Sequence, residues 1–157
     1  MNRKPTNIQI PSVYKYSILD DLSLIIEYYQ GDFTLESVKE LTSKIINDPK
    51  FNSNCVFIID LRLTYIKMSK EDLYNCGVWV SKNLKLTGLA RLAILTSNPE
   101  QVVASMIYTL NDHFTNHHYE VFSSIEATTS WLNINSNHNT FIHGLINNMY
   151  TPPKHEY

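Results

Sequence analysis

Two short alternations of apolar and polar residues, Val13–Leu19 and Leu22–Tyr29, open the chain. Further strand-like runs follow at Val56–Leu61, Leu92–Thr96 and Tyr119–Phe122, with amphipathic segments between them. Tyr14, Tyr16 and Ile18 alternate with Lys15 and Ser17, and Leu22, Leu24, Ile26 and Tyr28 alternate with Ser23 and Glu27. That period of two belongs to half-buried strands. Asp20-Asp21 between them is turn chemistry, because short acidic side chains bond to nearby backbone. Strands joined so tightly pair antiparallel. Gly31-Asp32 is expected to end the second, and the continuous apolar run Cys55–Ile59 predicts a central strand covered on both faces.

The segments between carry helix signals. Thr34 can cap a helix, with Phe33 and Val38 at the spacing of a hydrophobic staple; Leu35, Val38, Leu41 and Ile45 share a face, and Asp48-Pro49 stops it. Ser69 with Asp72 caps a second helix running to about Leu86, with Leu73, Val80 and Leu84 inward and Gly88 as the end signal. Asn98-Pro99-Glu100-Gln101 starts a third, whose expected buried stripe is Val103, Met106, Ile107, Leu110 and Phe114. Ser123 and Glu126 cap a closing helix in which Ala127 and Trp131 share a face. Asn133, Asn135, Asn137 and Asn139 mark a polar linker, and Phe141, Ile142, Leu145, Ile146 and Met149 predict one more short helix before Pro152-Pro153.

Strand–helix–strand units cross over right-handed and build parallel sheets. The expected fold is therefore α/β: a mixed, mostly parallel sheet of about five strands, opened by an antiparallel hairpin, with helices packed on its faces. Residues 1–12 read as a loose leader, 13–134 as the α/β domain, and 135–157 as the polar linker with its short C-terminal helix.

Composition narrows the class. The chain has 157 residues, 43% hydrophobic and 18% charged, which fits one globular domain. A net charge of −2 supplies no basic field for a phosphate backbone, so nucleic acid is not an expected partner. No run approaches the roughly 18 apolar residues of a membrane span. The start, Met1-Asn2-Arg3-Lys4-Pro5, has no apolar segment behind its charges, and Cys55 and Cys76 form no CxxC pair, so a reduced, cytoplasmic protein is expected.

Several pieces together carry a family resemblance. The opening hairpin, Val56-Phe57-Ile58-Ile59-Asp60-Leu61, the helix from Ser69 to Leu86, and Val121-Phe122 followed by Ala127 and Trp131-Leu132 resemble the STAS / SpoIIAA-like superfamily, which includes SEC14-like relatives. The resemblance implies a SpoIIAA-like domain over about residues 13–134 that regulates or binds a protein rather than catalysing a reaction. In the anti-anti-sigma branch, a serine after the third strand is phosphorylated within an Asp-Ser-Ser-Gly stretch. Here Asp60-Leu61 matches, but the later residues are Lys67-Met68-Ser69-Lys70, which leaves Ser69 as the candidate phosphosite.

Other candidates come from the residues themselves. Asp60 ends a strand, where open sheets place ligands, but a receiver-type phosphoryl site would also need an early acidic cluster and a late lysine that are missing. His113 and His117 stand four apart near His118, without the HExxH form or a third ligand, so no metal is expected. No cofactor is expected either. Cys55 and Cys76 read as core thiols. The second helix is apolar on two sides, with Tyr74, Val78 and Trp79 off the Leu73–Val80–Leu84 face. The simplest reading covers it with the C-terminal segment Phe141–Met149.

The alternative makes it a surface. Asp60, Arg62, Tyr65, Met68, Leu73, Tyr74 and Trp79, together with the loop Arg62–Met68, would then bind a protein partner or a second copy as a homodimer. A further alternative, implied by the SEC14-like relation, is a small apolar ligand such as a lipid, held between sheet and helices against Leu73, Trp79 and Met106.

Overall fold

The computed structural model describes residues 9–154. The strands are β1 (Val13–Leu19), β2 (Leu24–Phe33), β3 (Val56–Ile66), β4 (Ala90–Leu95) and β5 (His117–Phe122). The helices are α1 (Leu35–Asn47), α2 (Lys70–Asn83), α3 (Pro99–Thr109), α4 (Ile125–Trp131) and α5 (Asn139–Met149). The strands lie in the order β1-β2-β3-β4-β5; β1 is antiparallel to β2, and the remaining pairs are parallel. The expected α/β architecture is the observed one.

Because every parallel connection steps one strand onward and crosses right-handed, α1, α2 and α3 all lie on one face of the sheet. Ile25, Tyr29, Phe57, Leu61, Leu92 and Ile94 point to that face and meet Val38, Leu41, Ile45, Cys76 and Val80. The opposite face, with Leu24, Ile26, Tyr28, Ile58, Ala93 and Leu95, is closed by Ile125 and Leu132 of α4 and by Ile142, Ile146 and Met149 of α5. The C-terminal helix therefore covers the sheet and leaves α2 alone. That corrects the expectation that Phe141–Met149 lies over α2.

The strands run longer than their apolar cores suggest. β2 continues through Gly31 to Phe33, and β3 follows it to Ile66, so the expected loop from Arg62 is strand until that residue. A register shift between Tyr28 and Gln30 accommodates the extension. Gly31 sits there at φ +79°, where a Cβ would stand 2.7 Å from the Ser12 Cα, so backbone approach and dihedral both require glycine.

Residues 1–8 of the expected leader lie outside the described residues; Pro11 and Ser12 are tied to β2 through Gln30 Nε2 and the Asp32 N–H. Two helix boundaries also move. α2 ends at Asn83 rather than near Leu86, with Gly88 in the turn before β4, and α4 is capped by Ser124, whose hydroxyl accepts from the Ala127 N–H, rather than by Ser123.

Candidate functional site

Asp60 does not end its strand as the sequence suggested: it lies inside β3, which continues to Ile66, and its carboxylate is almost wholly committed to Arg62. The Arg62 Nε donates to Oδ1 at 3.1 Å, Nη2 donates to Oδ2 at 2.9 Å, and the Arg62 backbone N–H donates to Oδ1 at 3.0 Å. The Asp60 side chain is 3% exposed and that of Arg62 is 29% exposed, so the guanidinium is the end that meets solvent. A bidentate pair of this kind is a fixed structural unit with little acceptor capacity left on the carboxylate. Beside it, burial and then the Asp60 carboxylate push the Tyr28 hydroxyl up to about 12. Since the parallel strands never reverse their order, the sheet has no switch-point crevice in which Asp60 could face a ligand.

Gln101 joins the carboxyl-terminal half of β3 to α3. Its Nε2 donates to the carbonyls of Arg62 at 3.3 Å and Thr64 at 3.1 Å, and its Oε1 accepts from the Ser97 N–H at 2.8 Å. Gln101, Ala104 and Ser105 form the buried face of α3, where two small side chains allow the helix to pack close. Consequently most of the apolar stripe read from the sequence faces out. Val103 is 56% exposed, Met106 54% and Leu110 81%, and Ile107 beside them is half-buried; Phe114, beyond the end of α3, is half-buried and packs against the core as expected. Leu63 and Tyr65 are also exposed, at the strand end that Gln101 fastens to α3.

The other predicted surface residues divide between inside and outside. Leu73 and Met68 turn inward and line a cavity; Tyr65 and Tyr74 are exposed, the latter with its ring 6.0 Å from that of His113. Trp79 is half-buried with the Lys39 ammonium 6.0 Å from its ring centroid. Ser69 caps α2 in a reciprocal box with Asp72: each backbone N–H donates to the other's side-chain oxygen at 3.1 Å. Its residue is exposed, and Glu71 and Asp72 make the first turn acidic.

The histidines do not converge. α3 ends at Thr109, so His113 and His117 share no helix; His113 contacts Asn111, His117 lies 5.2 Å from the Phe114 ring, and His118 lies 5.5 Å from the Trp131 ring. Among the described residues no group of three or more His, Cys, Asp or Glu side chains is placed to hold a metal ion. Cys55 and Cys76 are buried and unpaired, and burial pushes the Cys76 thiol up to about 12.

The feature missed in the sequence is Glu27. It is 5% exposed, on the helix-covered face of β2, and its Oε2 accepts from the Tyr29 hydroxyl at 3.1 Å. Burial raises its carboxyl to about 7, against the lowering effect of the Tyr29 bond. Glu27 lines a cavity of about 50 Å³ between the sheet and α1, α2 and α3, and Cys76, Tyr108 and Tyr119 line it too. The Tyr108 and Tyr119 hydroxyls are hydrogen-bonded at 2.8 Å. Trp79 and Met106 do not line it. The available signal was that Ile25 and Tyr29, two residues to either side of Glu27, belong to one face of the strand.

Among the described residues no helix is long and apolar enough to cross a membrane. No protein-family model matches the chain, and no curated protein matches it. Among solved structures the chain is similar to an uncharacterized protein of the DUF3478 family with a SpoIIAA-like fold from Shewanella loihica PV-4, at 17% identity and a TM-score of 0.51. The match covers 84% of this chain and 98% of that one. At that identity the likeness speaks for architecture alone: the protein has a SpoIIAA-like fold.

Proposed function

We propose that the protein is a non-catalytic, STAS-like interaction module that self-associates through the outward face of α3. The observation that carries this reading is the exposed row Val103, Met106, Ile107 and Leu110, in which three members are more than half exposed. Their steps of three and four residues form the seam along which helices pack. Single exposed apolar residues are ordinary, but a contiguous row marks a contact surface. The only charged residue of α3 is Glu100, in its first turn, so two copies can meet along the row without facing like charges. Such a contact would be isologous, as in most dimers.

Magnitudes set the expected strength. The three most exposed side chains are partly covered already, so each recovers about 1 kcal/mol on burial, a fraction of the full ~1.5–3 kcal/mol. Two copies then gain on the order of 6 kcal/mol, near the low end of the ~4–15 kcal/mol that association costs. The dimer is therefore weak and concentration-dependent. A dilution series followed by methyl NMR tests it: the Val103, Ile107 and Leu110 methyls should shift with concentration while those of Ile142 and Ile146 stay fixed. Concentration-independent spectra would refute self-association.

The exposed position of Ser69 supports a regulatory input to this module. A phosphate there would meet the positive end of α2 but stand beside Glu71 and Asp72. The cavity beside Glu27 supports a second reading, the binding of a small and largely apolar molecule. Its volume of about 50 Å³ is well below the ~150 Å³ of a cavity that holds benzene. An acyl chain has no room in this form.

A further inference from the structure

We propose that the cavity between β2 and the helix layer is a binding site for a short aliphatic molecule carrying one hydroxyl group, which Glu27 and the Tyr108–Tyr119 pair recognise together. The inference rests on the small-ligand reading above and adds its chemistry. Tyr29 is the one protein donor to the Glu27 carboxyl among the described residues, and it bonds to Oε2. Among the described residues the other oxygen has no protein partner, on a side chain that is 5% exposed and lines the cavity.

The tyrosine pair supplies the opposite function. A hydrogen bond between two hydroxyls uses one of their two protons, so one O–H of the Tyr108–Tyr119 pair is left to donate. An alcohol hydroxyl both donates and accepts, and so matches the free acceptor and the free donor that line this one cavity. The remaining lining is apolar, including Ile59, Leu61, Val80, Leu92 and Ile94, and suits a hydrocarbon body.

Charge and size remove the other classes. A carboxylate would lose its hydration in an apolar cavity and meet an ionised Glu27 above neutrality, and a cationic amine would lose its hydration where the ion pair scarcely repays that loss. At roughly 10–15 Å³ for each water, about 50 Å³ admits three to five non-hydrogen atoms. Water alone would satisfy the polar groups but leave the hydrocarbon wall without a partner. With so few atoms, the dissociation constant is no tighter than a few micromolar.

The test uses two probes, 1-propanol and xenon, on the full chain, with methyl NMR of Ile59, Leu61, Val80, Leu92 and Ile94 as the readout. The expected result is saturable shifts with both probes in the native protein. Glu27→Leu, of similar volume, should keep xenon binding and weaken 1-propanol by about tenfold or more. Glu27→Gln, whose oxygen accepts from Tyr29 while its amide N–H can donate to the alcohol oxygen, should restore 1-propanol binding to within a few-fold of native. Xenon binding without saturable 1-propanol shifts would overturn hydroxyl recognition and leave the small-ligand reading standing. Failure of both probes, with the cavity holding water only, would overturn both. Equal 1-propanol affinity in Glu27→Leu would also overturn the role given to Glu27.

Discussion

Glu27 and Tyr29 project from the same face of β2, and the tyrosine hydroxyl donates to the carboxyl inside the helix-covered half of the molecule. The folded protein holds the Glu27 proton up to about 7, whereas an unperturbed glutamate releases it near 4.5. Between those values the folded state binds more protons than the unfolded state, so raising the pH favours unfolding. The stability associated with the protonated carboxyl is complete below about 4.5, falls through neutrality and levels off above about 7. The drop is about 3 kcal/mol. Glu27→Gln keeps an acceptor for Tyr29 and cannot titrate. Urea unfolding from pH 5 to 8 should show a fall in the native protein and a flatter profile in the variant, which is the more stable of the two at pH 8.

The Asp60–Arg62 pair predicts an asymmetry. Arg62→Met strands a carboxylate whose side chain is 3% exposed, whereas Asp60→Asn leaves a guanidinium that can still reach water. The arginine variant should lose about 3 kcal/mol or more, the range seen when a buried pair loses one partner. The asparagine variant should lose about 1–2 kcal/mol, because its carbonyl oxygen still accepts from the Arg62 N–H groups. Chemical denaturation at pH 7 measures both, and the reverse order would contradict the structural role given to the pair.

The α/β order, the cap at Ser69, the parallel sheet and the core stripe of α1 were legible because local signals and global packing agree there. Three features were not. The α3 pattern Val103, Met106, Ile107, Leu110 has the spacing of a buried stripe, and spacing cannot reveal that Gln101, Ala104 and Ser105 win the inner position. What decides it is a polar side chain that satisfies three backbone groups of neighbouring segments, a long-range fact. Glu27 looked like the polar half of an alternation because the strand was expected to have one wet face, yet helices cover both. The continuation of β3 past Asp60 depends on pairing with Gln30–Phe33 of β2, which no property of Arg62–Ile66 alone announces. The C-terminal helix was visible as an element, but not the face of the sheet it covers.

That docking yields a further expectation. Removing residues 136–157 would uncover Leu24, Ile26, Ile58 and Leu95 by deleting Ile142, Ile146 and Met149. It would also delete Thr151, whose backbone N–H and carbonyl both bond to the Gln30 side chain. Three buried apolar side chains amount to about 5–8 kcal/mol, comparable with the whole stability of a domain this size. The truncated chain should aggregate or lose its cooperative thermal transition. A monomer with native melting behaviour would show that α5 is dispensable.

Ser69 separates capping from charge. Ser69→Ala should lose about 1 kcal/mol, and Ser69→Asp, which also caps well, should stay within about 0.5 kcal/mol of native. If the site regulates association, the aspartate variant should alter the dimer constant at unchanged melting temperature. The alanine variant should lower the melting temperature.

Sedimentation velocity across a wide concentration range tests the central claim, that the outward row of α3 joins two copies. The native protein should move from monomer toward dimer as concentration rises. Met106→Glu should remain monomeric throughout with an unchanged melting temperature, and Lys44→Glu, on α1, should behave as native. A native protein that stays monomeric at every concentration, or a Met106→Glu variant that dimerises as well as native, would contradict the account.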